Sequence, residues 1–215
     1  MGADVDIARS IAASPLRTVR LKDLPPLVRN TWRTVERLTD RGALVRLSHG
    51  VYTAPPDGED GRSWRPSLES TALAIAVARV GGRSAALMGT SAARYWGVLP
   101  RAIGVATVAV DRGKHSALEL DHGGTVLFVP RRFDLLDLVL ERTSLGRGLV
   151  TTPAQTLFDL LSRRPADGLE KEIDGAVDNL IARVEVPDYA DVLARSARPG
   201  IAARAALERL REKYE

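Results

Sequence analysis

A chain of 215 residues with 45% hydrophobic and 27% charged side chains has the apolar content for one large core or two unequal ones. It has no cysteine, which excludes disulfides, thiolate zinc sites and cysteine nucleophiles. The longest apolar run, Thr71 to Ala78, falls far short of the roughly 18 residues of a membrane span, and the opening Met-Gly-Ala-Asp-Val-Asp lacks an apolar leader, so a cytoplasmic protein without a membrane partner is expected.

The net charge of +4 is concentrated. Residues 1–56 carry nine Lys or Arg against five acids, whereas the rest carries 22 of each sign. Such asymmetry is expected of a nucleic-acid-binding module beside a neutral domain. The segment Pro55-Pro56-Asp57-Gly58-Glu59-Asp60-Gly61 disfavours helix and is well solvated. It divides the chain into a basic module (1–56), a linker (57–65) and a larger domain (66–215).

In chain order, Val5 to Ala13 predicts a first helix, and Thr18 to Leu24 a short extended segment with a helical turn. A second helix is expected from Pro26 to Arg41. At about 100° per residue, Val28, Thr31, Trp32, Val35 and Leu38 share one arc, the expected core face. Arg29, Arg33 and Arg37 drift by only about 40° per step on the other side, with Asn30, Thr34 and Arg41 beside them. Arg pairs bidentately with guanine, Asn with adenine, and Arg and Thr bond phosphate. The same stripe also fits a merely solvated helix face. Gly42 then ends the helix. Ala43 to Leu47 and Val51 to Thr53 read as two strands around Ser48-His49-Gly50, with Arg46, Ser48 and His49 at or near the tip. A hairpin after a basic helix matches the wing of a winged helix–turn–helix, where His49 is either a phosphate contact or a plain turn residue.

Beyond the linker the pattern is mixed. Helices are expected from Pro66 to Val80, stopping at Gly81-Gly82, and from Thr90 to Trp96. Val105 to Val110, Thr125 to Val129 and, more weakly, Leu138 to Thr143 read as strands. Thr152-Pro153 opens a run of helices, the later ones at about 168–181, 187–196 and 201–212. The fold class is therefore α+β: an N-terminal winged helix–turn–helix followed by a larger mixed α/β domain. Arg101, Arg112, Arg131 and Arg132 are candidates for a second basic surface, or ordinary surface arginines.

Catalytic signals are weak. The histidines His49, His115 and His122 are isolated, and no His-x-x-x-His or Glu-x-x-His unit turns His115, Asp121 and His122 into a metal site. Asp188 follows Pro187 without a downstream Glu-x-Lys, no glycine-rich phosphate loop is present, and Ser91 lacks a nucleophile-elbow context. No metal, cofactor or enzyme activity is expected.

The phrase LTDRGALVRLSHGVYTAP (Leu38 to Pro55) resembles the AbiEi family, through Leu38, Gly42, Leu44, Arg46, Gly50, Val51 and Tyr52. GTSAARYWGVLP (Gly89 to Pro100) and GLVTTPAQTLFDLL (Gly148 to Leu161) are similar to two further family segments, with Thr90-Ser91 where a Ser-His pair is common. The resemblance implies an antitoxin of the AbiE or MenAT type. Such a protein represses its own operon by binding an inverted repeat of double-stranded DNA, and uses its larger domain to neutralise a nucleotidyltransferase-like toxin. A non-catalytic interaction adaptor is the alternative, and a nuclease or hydrolase with a DNA-binding module a more distant one.

Overall fold

The computed structural model describes residues 2–24, 30–100, 104–111, 113, 115–162 and 169–213. It is a mixed α/β protein with eight α-helices and two sheets among the described residues. The first helix, α1 (Gly2–Ala12), leads through a 3-10 turn at Pro15–Arg17 into β1 (Thr18–Arg20). Then come a second 3-10 turn at Leu21–Asp23, α2 (Thr31–Asp40), β2 (Val45–Ser48) and β3 (Val51–Thr53). The three strands form an antiparallel sheet in the order β1-β3-β2. Its outer core is made of Ile7 and Ile11 of α1, Val35 and Leu38 of α2, and Leu44, Tyr52 and Ala54.

The larger region begins with α3 (Leu68–Val80), β4 (Ala85–Leu87) and α4 (Gly89–Tyr95). It continues through β5 (Val105–Val110), β6 (Leu118–Glu119), β7 (Thr125–Pro130), β8 (Leu138–Thr143) and β9 (Gly146–Thr151). These strands make one mixed sheet in the order β6-β7-β5-β4-β9-β8, parallel between β5 and β7 and between β4 and β9. Side chains alternate across it as a pleat requires. Ala85 and Leu87 face one core with Val108 and Val110, while Ala86, Met88 and Ala109 face the other. The last helices, α5 (Pro153–Ser162), α6 (Glu170–Ile181), α7 (Val186–Arg195) and α8 (Ile201–Glu212), pack into a separate cluster around Leu157, Leu180, Tyr189 and Leu210.

Nine consecutive residues of α3, Glu69 to Val77, are buried, which requires neighbours on every side. The large sheet supplies one side. Leu16, Val45, Leu47 and Val51 from the N-terminal segment supply another, in the same continuous core. The hydrophobic core therefore crosses the expected 57–65 linker, which runs along the surface in hydrogen-bonded turns. Gly61 N donates to Gly42 O at 2.8 Å, and a Cβ on Gly61 would sit 2.7 Å from that oxygen. Leu16 and Arg17 adopt φ of 50° and 52°, an uncommon region for side-chain-bearing residues, where Leu16 turns inward to pack.

The predicted elements mostly stand with ends moved by a few residues. α3 starts at Leu68 rather than at Pro66, and Ser67 caps it, its side chain accepting from Ser70 N. Thr152 caps α5 as expected, accepting from Gln155 N at 3.2 Å. The strands β4, β6 and β9 have no counterpart among the predicted ones.

Candidate nucleic-acid interface

The described part of the second helix is shorter than predicted: it starts at Thr31, and Pro25 to Arg29 lie outside the described residues. Asn30, expected to reach a base, serves as the cap and accepts a hydrogen bond from Arg33 N at 3.1 Å. Val35 and Leu38 define the buried meridian. At about 100° per residue Thr34 stands roughly 70° to one side of it, Trp32 roughly 90° to the other, and Arg33 almost opposite. This reverses two expectations. Thr34 is buried, so it is not on an exposed recognition stripe, and Trp32, expected in the core, is 51% exposed.

Arg33, Glu36, Arg37 and Asp40 are the exposed residues of α2's outer side after Trp32. Arg33 has no ion pair among the described residues. Arg37 is held by Asp4 of α1 through both carboxylate oxygens, its Nε donating at 3.2 Å, and Arg41 Nη1 lies 3.9 Å from the same carboxylate. The bond from Arg37 holds the Asp4 carboxyl below its ordinary range. Two of the predicted DNA-contacting arginines thus share one internal acid.

The hairpin differs from expectation in a similar way. Ser48 is fully buried with its hydroxyl unpartnered, so it is not a surface contact at the tip. Arg46 lies within β2 and is exposed, but its Nε donates to Asp121 in the turn between β6 and β7. Asp121 N in turn donates to Leu47 O at 3.1 Å, so side chain and backbone both fasten the hairpin to the large sheet. His49 is exposed at the turn, next to Gly50 with φ of 70°. Around Arg46 lies a cavity of about 650 Å³ lined by Glu36, Asp40, Tyr52, Arg62, Asp121 and His122, among others. Burial, and then the charge of Arg65, lower the His122 imidazole below its usual range.

The second basic surface does not form as expected. Arg131 Nη2 donates at 2.8 Å to Asp159, whose side chain is 1% exposed, and Gln155 Nε2 donates to the same carboxylate oxygen at 3.1 Å. Arg132 pairs with Asp134 on the surface. Arg101 and Arg112 lie outside the described residues. His115 and His122 line different cavities, and no group of three or more His, Asp or Glu placed to hold a metal occurs among the described residues.

Several polar residues of the segments 89–100 and 148–161 have structural partners. Ser91 Oγ accepts from Thr107 N at 2.8 Å, and Trp96 Nε1 donates to Thr151 O at 2.9 Å. The Tyr95 hydroxyl donates to Glu141, and burial followed by that carboxylate pushes its pKa up to about 12. No helix among the described residues is long and apolar enough to cross a membrane.

No family model and no curated protein matches the chain. Among solved structures, it is similar to the crystal structure of the RV2827C protein from Mycobacterium tuberculosis. That likeness has a TM-score of 0.63 and 21% identity, and covers 98% of this chain and 78% of the other. It establishes a shared fold.

Proposed function

We propose that the protein is a DNA-binding transcriptional regulator whose N-terminal segment, α1 through β3, acts as a winged helix–turn–helix. The carrying observation is the order of elements: α1, β1, α2 and then a hairpin, closed as a β1-β3-β2 sheet with the hairpin turn and the outer side of α2 exposed. Recognition helices contact base edges with their N-terminal residues. Arg33 is the described α2 residue best placed for that role, and the exposed His49 meets backbone phosphate from the wing. Arg37, Arg41 and Arg46 join only by exchanging Asp4 and Asp121 for phosphate. Together with the resemblance to AbiEi antitoxins, this gives a cytoplasmic, non-catalytic autorepressor. Its larger domain opposes a nucleotidyltransferase-like toxin.

The test is an anisotropy titration of the full chain against the duplex upstream of its own gene and a random duplex of equal length. Specific binding should exceed non-specific binding by about a thousandfold or more and weaken steeply with salt. Equal affinity for both duplexes refutes the regulator reading. The exposed Trp32 favours a second reading, an adaptor docking a protein partner through α2, because exposed aromatics anchor interfaces. Absence of DNA binding together with loss of toxin neutralisation in Trp32→Ala would favour it.

A further inference from the structure

The hairpin turn also borders a second cavity, of about 580 Å³, between the N-terminal sheet, the end of α3 and the segment before β6. Its polar side chains are Arg20 and Lys22 from the end of β1 and the turn after it, His49 from the hairpin, Arg79 from the last turn of α3, and His115 from the segment before β6. No carboxylate lines it among the described residues. The remaining lining is Leu21, Gly50 and Val51, and Leu21 N donates to Gly50 O at 2.8 Å, which fixes the two rims together.

Of the five basic side chains, Arg20 alone has an acidic partner among the described residues, Asp23, in an exposed pair. Arg79 is half-buried, and its guanidinium carbon stands 5.0 Å from the ring centre of Phe128. The His115 ring lies 5.5 Å from the same ring. Phe128, 8% exposed on β7, is thus a common anchor for Arg79 and His115. Burial, and then the charge of Arg20, lower Arg79 below the ordinary arginine range, so this cation is poorly solvated and faces another cation. A cleft with several donors of one sign and low-dielectric walls concentrates anions, and guanidinium groups match phosphate oxygens in fork geometry.

We propose that the cleft formed by Arg20, Lys22, His49, Arg79 and His115 is a phosphate-binding site where the N-terminal sheet meets α3. The phosphate belongs either to a nucleic-acid backbone passing the hairpin turn or to a free phosphate compound. In the first case the site rests on the DNA-binding reading above and extends the contact onto α3; in the second it stands without it.

The experiment has two arms, both on the full chain at low ionic strength. Calorimetric titration with inorganic pyrophosphate should give saturable one-site binding, weakened about tenfold or more in Lys22→Gln and in Arg79→Gln. Arg211→Gln, which removes an exposed α8 arginine, should leave binding unchanged. Near-UV circular dichroism checks the fold of Arg79→Gln, and the exposed Lys22 keeps the test decisive if that variant is perturbed. In the second arm, the slope of log affinity against log salt on duplex DNA should fall by about one in each cleft variant if backbone phosphate occupies the site. Saturable pyrophosphate binding with unchanged slopes identifies a free phosphate compound. No pyrophosphate binding together with unchanged slopes overturns the proposal, as does equal weakening by Arg211→Gln. If the chain binds no duplex at all, the regulator reading falls while the pyrophosphate arm still decides the cleft.

Discussion

Two cationic regions, one on the N-terminal segment and one where that segment meets α3, carry similar formal charge and differ in what that charge touches. On α2 and β2, Arg37 and Arg41 share Asp4, and Arg46 is engaged by Asp121. In the cleft beside the hairpin turn, Lys22, His49, Arg79 and His115 have no acidic partner among the described residues. The first region is basic in composition but largely neutralised in space. Apart from Arg20, which pairs with Asp23, the second keeps its charge because the elements that meet there, β1, the hairpin turn, α3 and the segment before β6, bring no carboxylate to its lining among the described residues. Basic residue types mark a binding surface only when the fold leaves their charge unspent.

The sharpest break of this comparison lies in the large domain, where burial of the partner decides the role. Arg131→Ala removes the cation that stands 2.8 Å from the buried Asp159 carboxylate and should cost roughly 3 kcal/mol in urea unfolding. Arg132→Ala, whose partner Asp134 is exposed, should leave the urea midpoint nearly unchanged. Equal losses would show that partner burial does not govern these arginines.

Next in size is the α2 face. Arg33→Ala should cost about 1–3 kcal/mol of operator affinity, more than Arg37→Ala, whose guanidinium must first leave Asp4. Releasing the competing acid works the other way: Asp121→Asn should raise DNA affinity about two- to fivefold by freeing Arg46. Anisotropy titrations at one salt concentration measure all three. Weaker binding by Asp121→Asn in a folded protein would mean that Arg46 acts only as a strut.

The smallest effect is a pH dependence at Asp4. Its carboxyl sits below the ordinary 3.8 in the folded chain, so near that pH the unfolded chain binds more protons. The contribution is fully present above 3.8 and is lost as pH falls through the lower folded value. Asp4→Asn should therefore lower Tm near neutrality, with the two Tm curves converging in acid. A constant difference across pH would assign the loss to something other than charge.

Strong local signals were legible in the chain. Gly42 and Gly81 stop helices at positive φ, as expected, and Thr152 caps α5. β4 was missed because Ala85-Ala86-Leu87 is buried on both faces and has no alternation to read. β9 escaped because two glycines open it, and β6 is only two residues long. At the candidate interface, residue types were legible and their partners were not. Asp4 and Arg37 are 33 positions apart, Arg46 and Asp121 75, and no periodicity spans those distances.

By itself the sequence determined the order of the helices and, to within a few residues, most of their ends, which residues are apolar, and that the charge excess lies in the first quarter of the chain. These depend on neighbours a few positions away, through capping, backbone freedom and side-chain period. Tertiary structure alone decided that α3 is shared between the two sheets, that Thr34 and Ser48 are buried, and which cations remain available. Burial and ion pairing are set by residues that meet only after the chain closes on itself, so the same arginine is a strut beside Asp159 and an open donor in the cleft at Arg79.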